Sequence, residues 1–150
     1  MSPFFQFESD FVDSLRCVPM IVRFKLDTCG VKLKLHQWNK FTEHDRHQTV
    51  ERPCTTADEI QHYHDFLHDL IKQRTGETAT DLAIDPAPPW TDPTTVPESV
   101  QTKATDIGIQ ITVAQWESLA PIQRFVLIKL SRSAHENANF LPAVKEFQLV

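Results

Sequence analysis

The sequence predicts a mainly α fold: two pseudo-repeated helical units, at about 19–74 and 97–149, packed as one compact helical domain over 1–150. A Pro-rich connector at 77–96 joins them, with at most very short extended segments elsewhere. Three observations predict this. The first is an internal repeat at an offset of 78 residues, aligning Pro19 with Pro97, Gly30 with Gly108, Gln37-Trp38 with Gln115-Trp116 and Arg46 with Arg124. The second is apolar spacing at helical period inside both copies. The third is composition: three glycines against ten prolines disfavour a chain of tight hairpins.

Each copy opens with a short helix. Pro19 and Pro97 suit the first helical position. Val22, Leu26 and Cys29, like Val100, Ala104 and Ile107, recur at helical spacing, and Gly30 and Gly108 follow as left-handed terminators. The stretches Val31-Lys32-Leu33-Lys34-Leu35 and Ile109-Gln110-Ile111-Thr112-Val113 alternate as strands do, and a marginal two-stranded pairing between the copies would be very short. Thr112 and Gln115, however, form a capping box, with Ile111 and Trp116 at the staple positions, so a helix begins at Val113. Thr42 can cap a helix from Glu43, and Pro121 can open one through Ser131. A second capping box, Thr56 and Glu59, starts a helix carrying Ile60, Tyr63, Phe66, Leu67, Leu70 and Ile71 that ends near Thr75-Gly76. Further helices are expected around 10–17 and 141–149.

The connector contains Pro86, Pro88, Pro89 and Pro93 and reads as extended and polar. Trp90 inside it reads as an anchor strapping the connector to the body.

Net charge of −5 and a pI near 5.8 oppose phosphate-driven nucleic-acid binding. No run of 18 apolar residues is present, so no membrane span is expected, and the N-terminal stretch lacks the basic start of a signal peptide. Cys17, Cys29 and Cys54, three in number and without CxxC spacing, read as buried, reduced thiols of a cytoplasmic protein.

No catalytic motif stands out: there is no G-x-S-x-G, no Walker loop and no distinctive carboxylate pair. His64 and His68 are i, i+4, with His62, Asp65 and Asp69 nearby, but the glutamate of H-E-x-x-H and a third ligand at signature spacing are missing. The reading is of solvated histidines on an exposed helix face, and neither a metal nor a cofactor is expected. The paired Gln-Trp elements read as caps and core anchors rather than as a ligand clamp. The segment 132–140 is different. Ser133 and Glu136 can serve a capping loop, but His135, Asn137 and Asn139 exceed what a cap needs. With Arg124, Lys129 and Arg132 upstream they form a polar, positively charged patch, a candidate partner-binding surface made of Arg124, Lys129, Arg132, His135, Glu136, Asn137 and Asn139.

Several runs carry a likeness: Phe5-Gln6-Phe7-Glu8, Leu15-Arg16-Cys17-Val18-Pro19-Met20, Val22-Arg23-Phe24-Lys25-Leu26-Asp27, the two Gln-Trp pairs, Gln123-Arg124-Phe125, Lys129-Leu130-Ser131-Arg132, His135-Glu136-Asn137 and Asn139-Phe140-Leu141-Pro142. Together they resemble the nitrate reductase-associated protein family over nearly the whole chain. The resemblance implies a cyanobacterial cytoplasmic accessory protein of nitrate assimilation, non-catalytic, whose partner is the molybdenum nitrate reductase or its apo form. It supplies no catalytic residues. The alternative is a carrier of a metal, through His64, His68 and a cysteine, or of a molybdenum cofactor intermediate whose phosphate Arg124, Lys129 and Arg132 would hold. A standalone enzyme lacks machinery, and a helix-turn-helix regulator is opposed by the acidic charge.

Overall fold

The computed structural model describes residues 3–12, 15–132 and 137–150. The chain divides into two compact units, Met1–Ile84 and Asp85–Val150. The division falls inside the connector, so its first half belongs to one unit and its second half to the other.

In the first unit the helices are α1 (Ser9–Val12), α2 (Met20–Cys29), α3 (Leu35–Lys40), α4 (Glu43–Glu51) and α5 (Ala57–Thr75). Pro19 is the N-cap of α2, one position earlier than expected, and has no side chain with which to cap it. The buried Glu8 does this instead, its carboxylate accepting from Met20 N–H at 3.0 Å. Gly30 ends α2 at φ 77°, the left-handed conformation expected of it. Thr42 and Thr56 cap α4 and α5, each paired with the carboxylate three residues on, Asp45 and Glu59. Helix α5 packs on α2 and α3 around Trp38, Phe41, Tyr63, Leu67 and Ile71.

Two expectations are corrected here. The early helix is Ser9–Val12, not 10–17. Leu15, at φ 55°, already stands in the left-handed region that no α-helix accommodates. Cys17 beyond it is exposed, whereas Cys29 and Cys54 are buried.

The short extended pairing exists, but its partner is the connector. Strand β1 (Val31–Lys32) pairs antiparallel with β2 (Thr80–Asp81), Val31 opposite Asp81 and Lys32 opposite Thr80. Leu82 N–H extends the ladder to Gly30 C=O at 2.8 Å. A Cβ at Gly30 would lie 2.8 Å from the Leu82 carbonyl oxygen and 2.7 Å from Ile84 Cγ1, so this close return requires glycine twice over.

The second unit holds α6 (Glu98–Asp106), α7 (Val113–Ser118), α8 (Pro121–Arg132) and α9 (Phe140–Glu146), with 3-10 turns at Pro89–Thr91 and Asn137–Asn139. Helix α8 is the centre, buried from Arg124 through Ile128, and α6, α9 and the Pro89–Thr91 turn pack against it. The side chains of Trp116, Phe125, Leu127, Leu130, Phe140 and Val144 are almost wholly buried. Trp90 is half-buried and meets Phe125 edge to face, ring centroids 5.2 Å apart, which fastens its stretch of connector to this unit.

Candidate functional site

The Gln-Trp elements perform the same structural work in both units. Gln37 accepts from Lys34 N–H at 2.9 Å, and Gln115 from Thr112 N–H at 2.9 Å, so each caps its own helix. The amide group of each then reaches the segment that follows its unit's last helix: Gln37 donates to Glu77 at 3.1 Å, Gln115 to the Leu149 carbonyl at 3.1 Å. The Trp38 indole donates to Leu15 C=O and the Trp116 indole to Asp92 C=O, both at 3.0 Å. Arg46 and Arg124 close the arrangement by donating to the Trp38 and Trp116 carbonyls.

This bears on the predicted polar patch. Arg124 is only 6% exposed, and its guanidinium donates to the carbonyls of Trp116, Glu117 and Trp90 at 3.0, 3.1 and 3.1 Å. It is an internal clamp, corrected from a member of an exposed patch, because all three guanidinium nitrogens are used within the fold. Lys129 is half-buried with its ammonium 5.5 Å from the Phe125 ring, and Arg132 is exposed in the last turn of α8. Asn139 is half-buried and is the N-cap of α9 without a side-chain capping bond. His135 and Glu136, and the side chain of Asn137, lie outside the described residues.

A second group assembles where spacing alone had shown nothing complete. His64 and His68 occupy one face of α5, their ring centroids 4.2 Å apart. The β1–β2 register brings Asp81 across to them. A single carboxylate oxygen, Asp81 Oδ1, lies 2.9 Å from His64 Nε2 and 2.7 Å from His68 Nε2. Behind His64, Asp65 Oδ1 stands 3.1 Å from Nδ1 and is itself held by Gln61 Nε2 at 3.0 Å. The side chains of His64 and His68 are 25% and 28% exposed, that of Asp81 59%. His64 and Asp81 border an open cleft of about 200 Å³ lined also by Cys29, Ile60, Leu82 and Ile84.

The electrostatics follow from the contacts. Partial burial pulls the His64 pKa down, but hydrogen bonds to Asp65 and Asp81 outweigh it and the net shift is upward. Hydrogen bonds from His68 and His64 hold the Asp81 carboxyl below its ordinary range. Elsewhere in this unit burial pulls the Lys25 ammonium down, and the ammonium donates to the Val50 and Arg52 carbonyls at 2.6 Å each. The neighbouring Cys54 thiol is pulled down by its hydrogen bond to Cys29 and by Lys25, while Cys29 is pushed up.

Sequence reasoning placed Asp65 near His64 and His68 but missed Asp81, Glu77 and Glu8 as partners. The only available signal for Asp81 was the period-two spacing of Thr80, Leu82 and Ile84 in a stretch read as connector.

No helix among the described residues is long and apolar enough to cross a membrane. The model of one family, described as conserved nitrate reductase-associated protein, matches residues 4–147. No curated protein and no solved structure matches the chain.

Proposed function

Because the chain belongs to the nitrate reductase-associated protein family, we propose that it is a non-catalytic accessory protein that binds the molybdenum nitrate reductase, or its apo form, and supports its maturation or activity in nitrate assimilation. The setting is the cytoplasm of a nitrate-assimilating cell such as a cyanobacterium. The observation that carries this reading is the family match across nearly the entire chain. The fold is consistent with it: the duplicated Gln, Trp and Arg side chains are all consumed in capping, tethering and clamping.

The partner surface we assign starts at the exposed Arg132 in the last turn of α8 with the half-buried Lys129 three residues before it, and takes in Asn139 and, by their place in the sequence, His135, Glu136 and Asn137. Exposed positive charge complements an acidic partner surface and steers its encounter without needing burial. Arg124, near the start of α8 and bonded inward to the Trp116, Glu117 and Trp90 carbonyls, is not counted among the contacts.

The test is co-purification from extract of nitrate-grown cells, with tagged chain as bait. Recovery of the reductase, reduced by Arg132→Glu and by the pair His135→Ala and Asn137→Ala at unchanged helical circular dichroism, is the expected outcome. Failure to recover it, together with full reductase activity in a deletion strain, would overturn the proposal.

A further inference from the structure

The geometry points to a metal site: we propose that His64 Nε2, His68 Nε2 and Asp81 Oδ1 bind one divalent first-row transition ion of the zinc class, leaving a coordination position open to the cleft. This stands apart from reductase binding and neither reading needs the other.

Three independent features support it. The first is convergence. These three ligand atoms, from two helical turns and a strand, lie within 4.8 Å of one another. An ion bound by nitrogen and oxygen at about 2.0–2.2 Å holds its ligand atoms somewhat over 3 Å apart. The observed 2.7 and 2.9 Å contacts therefore need to open by only about half an ångström, which side-chain torsions can supply.

The second is the hydrogen bonding of His64. It has a carboxylate at each ring nitrogen, Asp65 at Nδ1 and Asp81 at Nε2. A neutral imidazole carries one proton, so it can satisfy only one of them. The other contact then sets a nitrogen lone pair against a carboxylate oxygen, unless a second proton or a metal ion lies between them. A carboxylate that accepts from the far nitrogen of a histidine is also what orients a metal-binding imidazole, and Gln61 fixes Asp65 for that task.

The third is access. The site stands at the edge of an open cleft, so an ion can enter and keep a position for water or another ligand. Two imidazoles and one carboxylate suit zinc or ferrous iron rather than calcium or magnesium, which prefer all-oxygen surroundings.

The experiment titrates the full-length, chelator-treated chain with Zn²⁺ by calorimetry and with Co²⁺ by visible absorption. The expected result is one ion per chain, cobalt bands of the intensity that marks four- or five-fold coordination, and release of protons on binding at pH 6. Asp65→Asn weakens binding by about 10- to 100-fold, as removal of a carboxylate behind a ligating histidine does. His64→Ala and His68→Ala lose the stoichiometric cobalt bands altogether. Asp81→Asn preserves an acceptor for His68 and hence the fold, so its loss of binding cannot be laid to unfolding. Absence of stoichiometric binding overturns the proposal, as does binding that survives His64→Ala and His68→Ala together, since that would place the ion on other histidines of the seven.

Discussion

The two units contain one clamp built twice, and what differs is how much of it each unit buries. At the 78-residue offset the Gln caps, the Trp indoles and the Arg donors recur with nearly the same bond lengths. Yet Arg124 is buried with three carbonyls, while Arg46 is half-buried, bonded at 3.3–3.5 Å to the Trp38 and Asn39 carbonyls, its guanidinium over the Trp38 ring. The divergence begins after the clamp. The first unit continues into the 19-residue α5 and the returning strand β2, whereas the second has a longer α8 and only the 7-residue α9. A repeated local device thus leaves the rest of each unit free to differ, and the histidine–aspartate group exists only because α5 and β2 do.

The comparison is tested most severely at the tryptophans. Both are wholly buried, so Trp38→Ala and Trp116→Ala should each cost about 3–5 kcal/mol of the stability of its own unit in denaturant unfolding. A cost under half of that at one of them would mean that the two clamps are not equivalent. The arginines should separate the units next. Arg124→Ala removes the donor from three carbonyls, one buried and two partly buried, and should cost about 3 kcal/mol, Arg46→Ala about 1 kcal/mol. Equal losses would refute the difference in burial.

Glycine offers a finer contrast. Gly30 and Gly108 share the left-handed conformation, at φ 77° and 79°. Gly108→Ala meets open space and should lose about 1 kcal/mol for backbone strain alone. Gly30→Ala adds contact with a backbone oxygen that the β1–β2 ladder holds in place, and about 2–3 kcal/mol is expected. A matched pair of losses would indicate that β2 yields readily.

How far these features were legible depends on the range of the physics involved. Both ends of helix α5 could be read from the sequence because the Thr56–Glu59 box and Gly76 act within a few positions of them. The same locality exposed the Gln115 cap. What failed were long-range facts. Asp81 meets His64 and His68 only through the register of two strands of two residues each, a pairing that no local pattern specifies. Glu8 caps a helix twelve residues away because Pro19 cannot. The flanking Leu15 and Val18 suggested burial for Cys17, but the left-handed turn at Leu15 sends the chain outward. Arg124 was read as surface charge since no local pattern reveals that three carbonyls converge on it.

The smallest expected effect separates the units by chemistry rather than by packing. The segment after the last helix is held in the second unit by titration-insensitive bonds, Gln115 to the Leu149 carbonyl and Leu149 N–H to the Val144 carbonyl, but in the first by His64 and His68 on Asp81 and by His36 on Glu77. Around His64 the titratable groups are Asp65 and His68 on α5 and Asp81 on β2. The His64 pKa is raised, so its contribution is complete below the ordinary imidazole value of about 6.5 and disappears as pH climbs through the folded value. Hydrogen bonds from His68 and His64 lower Asp81, and those from His36 and Gln37 lower Glu77. Their contributions are complete above about pH 4.5 and disappear as pH falls through the folded values. The metal-free first unit should therefore hold β2 best between about pH 4.5 and 6.5. Hydrogen exchange can read this at Leu82 N–H, bonded to Gly30 C=O, against Leu149 N–H, bonded to Val144 C=O. Corrected for intrinsic rates, protection at Leu82 should fall between pH 6 and 8.5 while that at Leu149 stays level. A parallel change at both amides would show that pH acts on the chain as a whole, and the histidines would lose their part in holding the strand.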